Sequence, residues 1–134
     1  MAVRPPLRLL RLGNPVVRSI LRSPAHRLLS GSLAVLEYEG RTTGRRFAIP
    51  LRYAETHDGR LVAIAVPPDR KLWWRSFEEP RDARLELRGH AVRIVGRLAE
   101  GGARDEASAA YATRFPRSAR LLEDAAVVVF ERGG

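Results

Sequence analysis

LAVLEYE-GRTTGR-RFAIPLRYAE, residues 33–55, reads as two β-strands joined by a bend, and that reading decides the fold. In the first run Ala34, Leu36 and Tyr38 share a face. In the second, 46–55, Phe47, Ile49, Leu51 and Tyr53 alternate with Arg46, Ala48, Pro50, Arg52 and Ala54. A period of two over ten residues is the mark of a strand. The bend, Gly40 to Arg46, holds three guanidiniums, two hydroxyls and two glycines. Glycine lets backbone N–H groups approach a ligand closely, and arginine forks grip phosphate or carboxylate through paired hydrogen bonds. The composition is that of an anion cradle for the phosphate end of a cofactor. A solvated hairpin loop can share it, so the bend alone leaves both readings open. It is neither a P-loop nor a dinucleotide fingerprint, which need a Lys-Ser/Thr pair or a strand-to-helix setting.

The pattern continues outward. His57-Asp58-Gly59 is a turn, and a third strand at 60–66 puts Val62, Ile64 and Val66 opposite Leu61, Ala63 and Ala65. Pro67-Pro68-Asp69 stops it. A short helix carries Leu72-Trp73-Trp74-Arg75-Ser76-Phe77, and Pro80 ends it. Strands at 82–88 and 91–99 form a hairpin across Gly89-His90. Gly101-Gly102 introduces a helix with Ala107, Ala110 and Tyr111 on one side, ending before Pro116. A last strand spans 125–131. Upstream, Asn14-Pro15 and Ser23-Pro24 are cap-then-proline signals for two short helices. The expectation is one α+β domain over 1–134: a six-stranded antiparallel split β-barrel at 32–134, with peripheral helices and a basic helical segment at 1–31.

Of 24 basic residues 23 are arginine, and six precede the first acid, Glu37. The rest of the chain carries 18 basic residues against 15 acids, so the body is nearly balanced. That argues against a nucleic-acid partner, which calls for a basic face. The N-terminal segment mixes leucine, valine and isoleucine with arginine. Arginine interrupts it too often for a membrane span, which leaves a basic helix packed on the domain or a contact with an anionic membrane surface. There is no cysteine, which excludes disulfides, thiolate catalysis and cysteine-bound zinc. His26, His57 and His90 have no metal-ligand spacing, so no metal is expected.

Arg46 and Arg52 flank small residues on the second strand, and Ala63 and Ala65 suggest a shallow trough beside them. A flat ring system with an anionic tail suits such a trough. Lys71 is the only lysine and stands just before Trp73-Trp74, of which one indole is expected in the core and its neighbour at the cleft. With no evident nucleophile, carboxylate pair or metal site, any chemistry falls to a bound cofactor.

These features together resemble the deazaflavin-dependent nitroreductase family, within the split-barrel flavin-binding proteins. The match runs from about Asn14 to Glu131. Its strongest parts are Gly40-Arg41-Thr42-Thr43-Gly44-Arg45 followed by Ile49-Pro50-Leu51, and Lys71-Leu72-Trp73-Trp74-Arg75-Ser76-Phe77. The resemblance implies a reductase that passes a hydride from reduced coenzyme F-420 (8-hydroxy-5-deazaflavin) to a quinone, nitro compound or other electrophilic acceptor. It implies that Arg41, Thr42, Thr43, Gly44, Arg45 and Arg46 hold the phosphate, and that Pro50, Arg52, Ile64 and Ala65 border the ring. Lys71, Trp73 and Trp74 would close over it. A cytoplasmic protein, with or without membrane association, and a homodimer are in keeping with it. Two positions depart from the pattern. Pro67 and Pro68 stand where glycine N–H groups are usual, and Ser118 stands where the nitroreductase branch has a tyrosine thought to assist protonation. Ser118 is thus the one candidate catalytic residue. FMN as cofactor, or a non-catalytic role in binding a lipid or hydrophobic anion, remain the alternatives.

Overall fold

Strands β1 (Leu33–Glu39) and β2 (Arg46–Arg52) pair antiparallel in unbroken register, from Leu33 opposite Arg52 to Glu39 opposite Arg46. The computed structural model describes residues 32–133, Arg88 excepted. The helices expected between Asn14 and Leu29, and the membrane contact expected of 1–31, lie outside the described residues. The bend between β1 and β2 is held by Gly40 N–H donating to the Arg45 carbonyl at 2.7 Å and Gly44 N–H to the Gly40 carbonyl at 3.0 Å. Gly44 takes φ of +73°, which a side chain would disfavour.

The expected strand 46–55 is in fact two, and the sheet has seven strands rather than six. Tyr53 N–H donates to the Ser32 carbonyl at 2.8 Å, closing the β1–β2 ladder. The next residues, β3 (Ala54–Glu55), pair instead with β4 (Leu61–Ala65). The remaining strands are β5 (Arg81–Leu87), β6 (His90–Leu98) and β7 (Ala126–Arg132), and the order is β2-β1-β5-β6-β7-β4-β3. Every pair is antiparallel. β2 and β3 are consecutive in the chain yet stand at opposite ends of this order. The sheet therefore curls until one continuous stretch serves both edges, as accumulated twist allows. The β5–β6 hairpin turns one residue earlier than expected: Leu87 pairs with His90, and Gly89 adopts φ of +85°.

The curl encloses the main core, which includes Leu36, Leu61, Ala63, Phe77, Leu85 and Phe130. Phe77 ends a 3₁₀ segment, Leu72–Phe77, that lies across the barrel. A Cβ at Gly96 on β6 would meet Phe77 Cδ1 at 2.7 Å and Phe130 Cδ1 at 3.0 Å, so glycine admits that ring against the strand. A second cluster joins Val62, Val127 and Val129 on the outer face to Ala107 and Tyr111 of helix α1 (Gly101–Arg114). The 3₁₀ segment Pro116–Asp124 follows. Arg104 of α1 reaches it, donating to the carbonyls of Leu122 at 2.7 Å and Ala125 at 2.8 Å.

Candidate functional site

A cleft of about 600 Å³ opens where β2, β4, the tryptophan segment, α1 and the 116–124 segment converge. Ile49 and Leu51 of β2, Ile64 and Val66 around the end of β4, Trp73 and Leu121 give it apolar walls. Its polar groups are Arg52, Lys71, Tyr111 and Ser118, and among the described residues no carboxylate lines it. Such a hollow favours a flat apolar ligand that carries negative charge.

Each polar group has a structural reason for its place. Lys71 follows the Pro67-Pro68 turn, where its N–H donates to the Pro67 carbonyl at 3.0 Å. The Trp74 indole N–H donates to the Pro68 carbonyl at 2.8 Å. The prolines contribute no donors, but their carbonyls anchor the whole tryptophan segment. Trp73 packs on Phe130, with ring planes 16° apart and centroids at 6.4 Å. One indole thus walls the cleft while its neighbour is fixed against the loop and does not line it. Ser118 is buried on the turn after Pro116, its N–H donating to the Phe115 carbonyl at 2.9 Å. Arg52 Nη2 makes a long hydrogen bond to Ser118 Oγ, 3.4 Å, and its guanidinium lies 4.6 Å over the Phe115 ring. Burial raises the Tyr111 hydroxyl above its ordinary pKa, and the charge and hydrogen bond of Arg52 pull it back only in part. Tyr111 is therefore a protonated donor at neutral pH.

The alanine trough does not form. β4 does not pair with β2 and stands five places from it in the sheet order, so the two strands converge at the cleft without sharing one pleated face. Ala63 belongs to the enclosed core and Ala65 is 1% exposed, while Ala48 packs with Val35. β4 contributes Ile64, from the face opposite the alanines. Ala65 therefore offers the cleft no side-chain surface, whereas Pro50, Arg52, Ile64, Lys71, Trp73 and Ser118 are brought together. Tyr111, which the sequence put on one side of its helix with Ala107 and Ala110, is the polar lining residue that reasoning missed. Its hydroxyl was the only signal available.

The arginine bend stands apart from the cleft lining but connects to it by two routes. From Arg46 to Ile49 the strand covers about 10 Å at ordinary strand rise. From Trp73 to Glu78 the 3₁₀ path covers about 10 Å as well. The two routes meet at an ion pair between Arg41 and Glu78. Arg46 faces Glu39 at 3.6 Å, and Arg45 lies 5.6 Å over the Phe47 ring with no carboxylate partner among the described residues. Thr43 Oγ1 accepts the Arg45 N–H at 3.3 Å. Among the described residues, nothing accepts the N–H groups of Arg41, Thr42 or Thr43. The exposed donors at the tip are therefore Arg45 and these three amides.

No protein-family model and no curated protein matches the sequence. Solved structures do match in shape. An F420-H2 dependent reductase, FDR-A, superposes with a TM-score of 0.62 at 16% identity, over 75% of this chain and 94% of that one. The chain has the fold of that reductase. A structure described as a domain-swapped dimer matches at TM-score 0.59 and 15% identity, over 85% and 98% of the two chains. HutZ, the heme storage protein from Vibrio cholerae, matches at 0.59 and 11%, over 84% and 90%. At these identities the likeness is one of fold: a curled antiparallel split-barrel sheet with a few helices. Among the described residues, no helix is long and apolar enough to cross a membrane.

Proposed function

We propose that this chain is an oxidoreductase that binds reduced coenzyme F-420 and delivers its hydride to a small electrophilic acceptor. The observation that carries the reading is the pairing of an apolar, cation-bearing, carboxylate-free cleft with an arginine bend about 10 Å away along β2. A tricyclic ring suits the Ile49, Leu51, Ile64 and Trp73 walls. An acidic ring oxygen suits Lys71. The phosphate suits Arg45 and the free amides of Arg41, Thr42 and Thr43. Those residues fit a tailed deazaflavin, and FDR-A shares the fold. When bound, the coenzyme supplies the hydride. The protein holds the two ends, orients the ring and excludes water with Trp73. A homodimer belongs to this reading, in keeping with the swapped-dimer neighbour.

Titration of the purified chain with coenzyme F-420 and with FMN, followed by absorbance, tests the choice of cofactor. Saturable F-420 binding with weaker FMN binding is expected. Tight FMN binding without F-420 binding would overturn it. A non-catalytic binder of a hydrophobic anion is the second reading, favoured by Ser118 in a position that resembles the family's tyrosine and by the HutZ neighbour. His57 and His90 do not line the cleft, so neither is placed to ligate a heme iron there. Full coenzyme occupancy with no turnover across quinones and nitro compounds would favour this second reading.

A further inference from the structure

We infer that Arg52, exposed at the rim of the cleft and steadied by Ser118, Tyr111 and Phe115, is a carboxylate-reading subsite, so that the cleft selects planar apolar molecules carrying a carboxylate or a comparably acidic oxygen. The inference deepens the proposed function by naming the chemistry of the acceptor. It rests on that reading only for the word acceptor.

Arg52 is held by neutral groups. Ser118 Oγ lies 3.4 Å from Nη2, and the Phe115 face lies 4.6 Å from the guanidinium carbon. Among the described residues no carboxylate pairs with it. This contrasts with Arg41, Arg46, Arg60 and Arg97, all of which meet acids. Such neutral contacts orient a guanidinium without neutralising it. Two polar side chains beside it, Tyr111 at 3% exposure and Ser118 at 7%, are buried yet border the same hollow. Buried hydroxyls next to an unneutralised cation and apolar walls make a site that charge-assisted hydrogen bonds would complete. The phosphate of a coenzyme has the bend to bind, so Arg52 is left to read a second anionic group. Tyr111 remains protonated at neutral pH and can donate to the same oxygen, which makes it a positioning residue for that group.

Calorimetric titration with 2-naphthoate and its neutral isostere 2-naphthamide tests this without coenzyme. Wild type is expected to bind the carboxylate at least about tenfold tighter than the amide. Arg52→Gln should erase the preference, read as the ratio of the two affinities measured in the same variant. Arg52→Lys should restore part of it, and Tyr111→Phe should reduce it about threefold, in keeping with one lost hydrogen bond. No preference in wild type, or a preference that survives Arg52→Gln, overturns the subsite. Coenzyme binding is a separate readout. F-420 binding without the naphthoate preference removes the subsite and leaves the proposed function. The preference without F-420 binding keeps the subsite and removes the redox reading.

Discussion

Two hollows draw on the same stretch of chain and the same helix, yet they carry opposite chemistry. The cleft takes Arg52 from β2 and Tyr111 from α1, adds Lys71, and has no acid among its described lining residues. The neighbouring groove, of about 750 Å³, takes the very next residues, Tyr53 to His57, and Glu106, Ala109, Ala110, Thr113 and Arg114 of α1. Its acids are Glu55 and Glu106, and Glu106 is tied to Arg60 at 3.4 Å. Arg60 in turn meets Asp58 at 2.8 Å and Glu131 at 3.6 Å, and Arg97 meets Glu131 at 3.3 Å. On that side Arg60 and Arg97 are answered by acids across the turn, α1, β6 and β7, while Arg114 lies 4.9 Å over the Phe115 ring with no carboxylate partner among the described residues. The larger hollow mixes acids with cations. What sets the smaller cleft apart is that its cations stand beside apolar walls with no acid among the described lining residues.

The sharpest way to break the comparison is Trp73→Ala. It removes a cleft wall and the ring packed on Phe130, and is expected to cost about 3 kcal/mol in urea unfolding and to abolish F-420 binding. If ligand affinity survived in the folded variant, the cleft would not be the binding hollow. Arg45→Ala comes next. It should weaken F-420 about tenfold while changing stability by less than about 0.5 kcal/mol, because its side chain is exposed and no described carboxylate pairs with it. Arg41→Ala should weaken binding less and also free Glu78, which the unfolding midpoint would register as a slight loss. On the groove side, Glu55→Gln should leave coenzyme and naphthoate affinity unchanged. A large change there would mean that the wrong hollow has been chosen.

The smallest effect is one of pH. Hydrogen bonds from Arg60 and then Thr56 hold the Asp58 carboxyl well below the usual carboxylate range. A depressed folded pKa stabilises at pH values above the unfolded value and stops doing so as pH falls through the folded one. Asp58→Asn should therefore be less stable than wild type near neutrality, and the gap should close below about pH 4. Acid unfolding curves of the two proteins check it. A gap that widened in acid would contradict the network.

Much of the barrel was legible because alternation is local. Leu36 lies in the main core, and of the face read as Phe47, Ile49, Leu51 and Tyr53 all but the exposed Phe47 pack in or against it. The split at Tyr53 was not legible. Its side chain keeps the alternation while its neighbours pair with different partners, and pairing is a long-range property. The alanine trough failed for the same reason, since adjacency in sequence order was taken for adjacency in the sheet. The bend and the tryptophan segment were legible as chemistry, and their meeting through Arg41 and Glu78, 37 positions apart, was not. Tyr111 was read as sharing a helix side with Ala107, and that side is buried. Only the placement of Arg52 next to it shows that its hydroxyl also borders a ligand hollow.

The claim that one ligand spans bend and cleft is tested most directly by a double-mutant cycle on Arg45 and Lys71, read by calorimetric titration with coenzyme F-420. Each single alanine variant is expected to lose about tenfold in affinity, and the double variant about a hundredfold, as two independent grips on one molecule require. Wild-type affinity in either single variant would contradict the account.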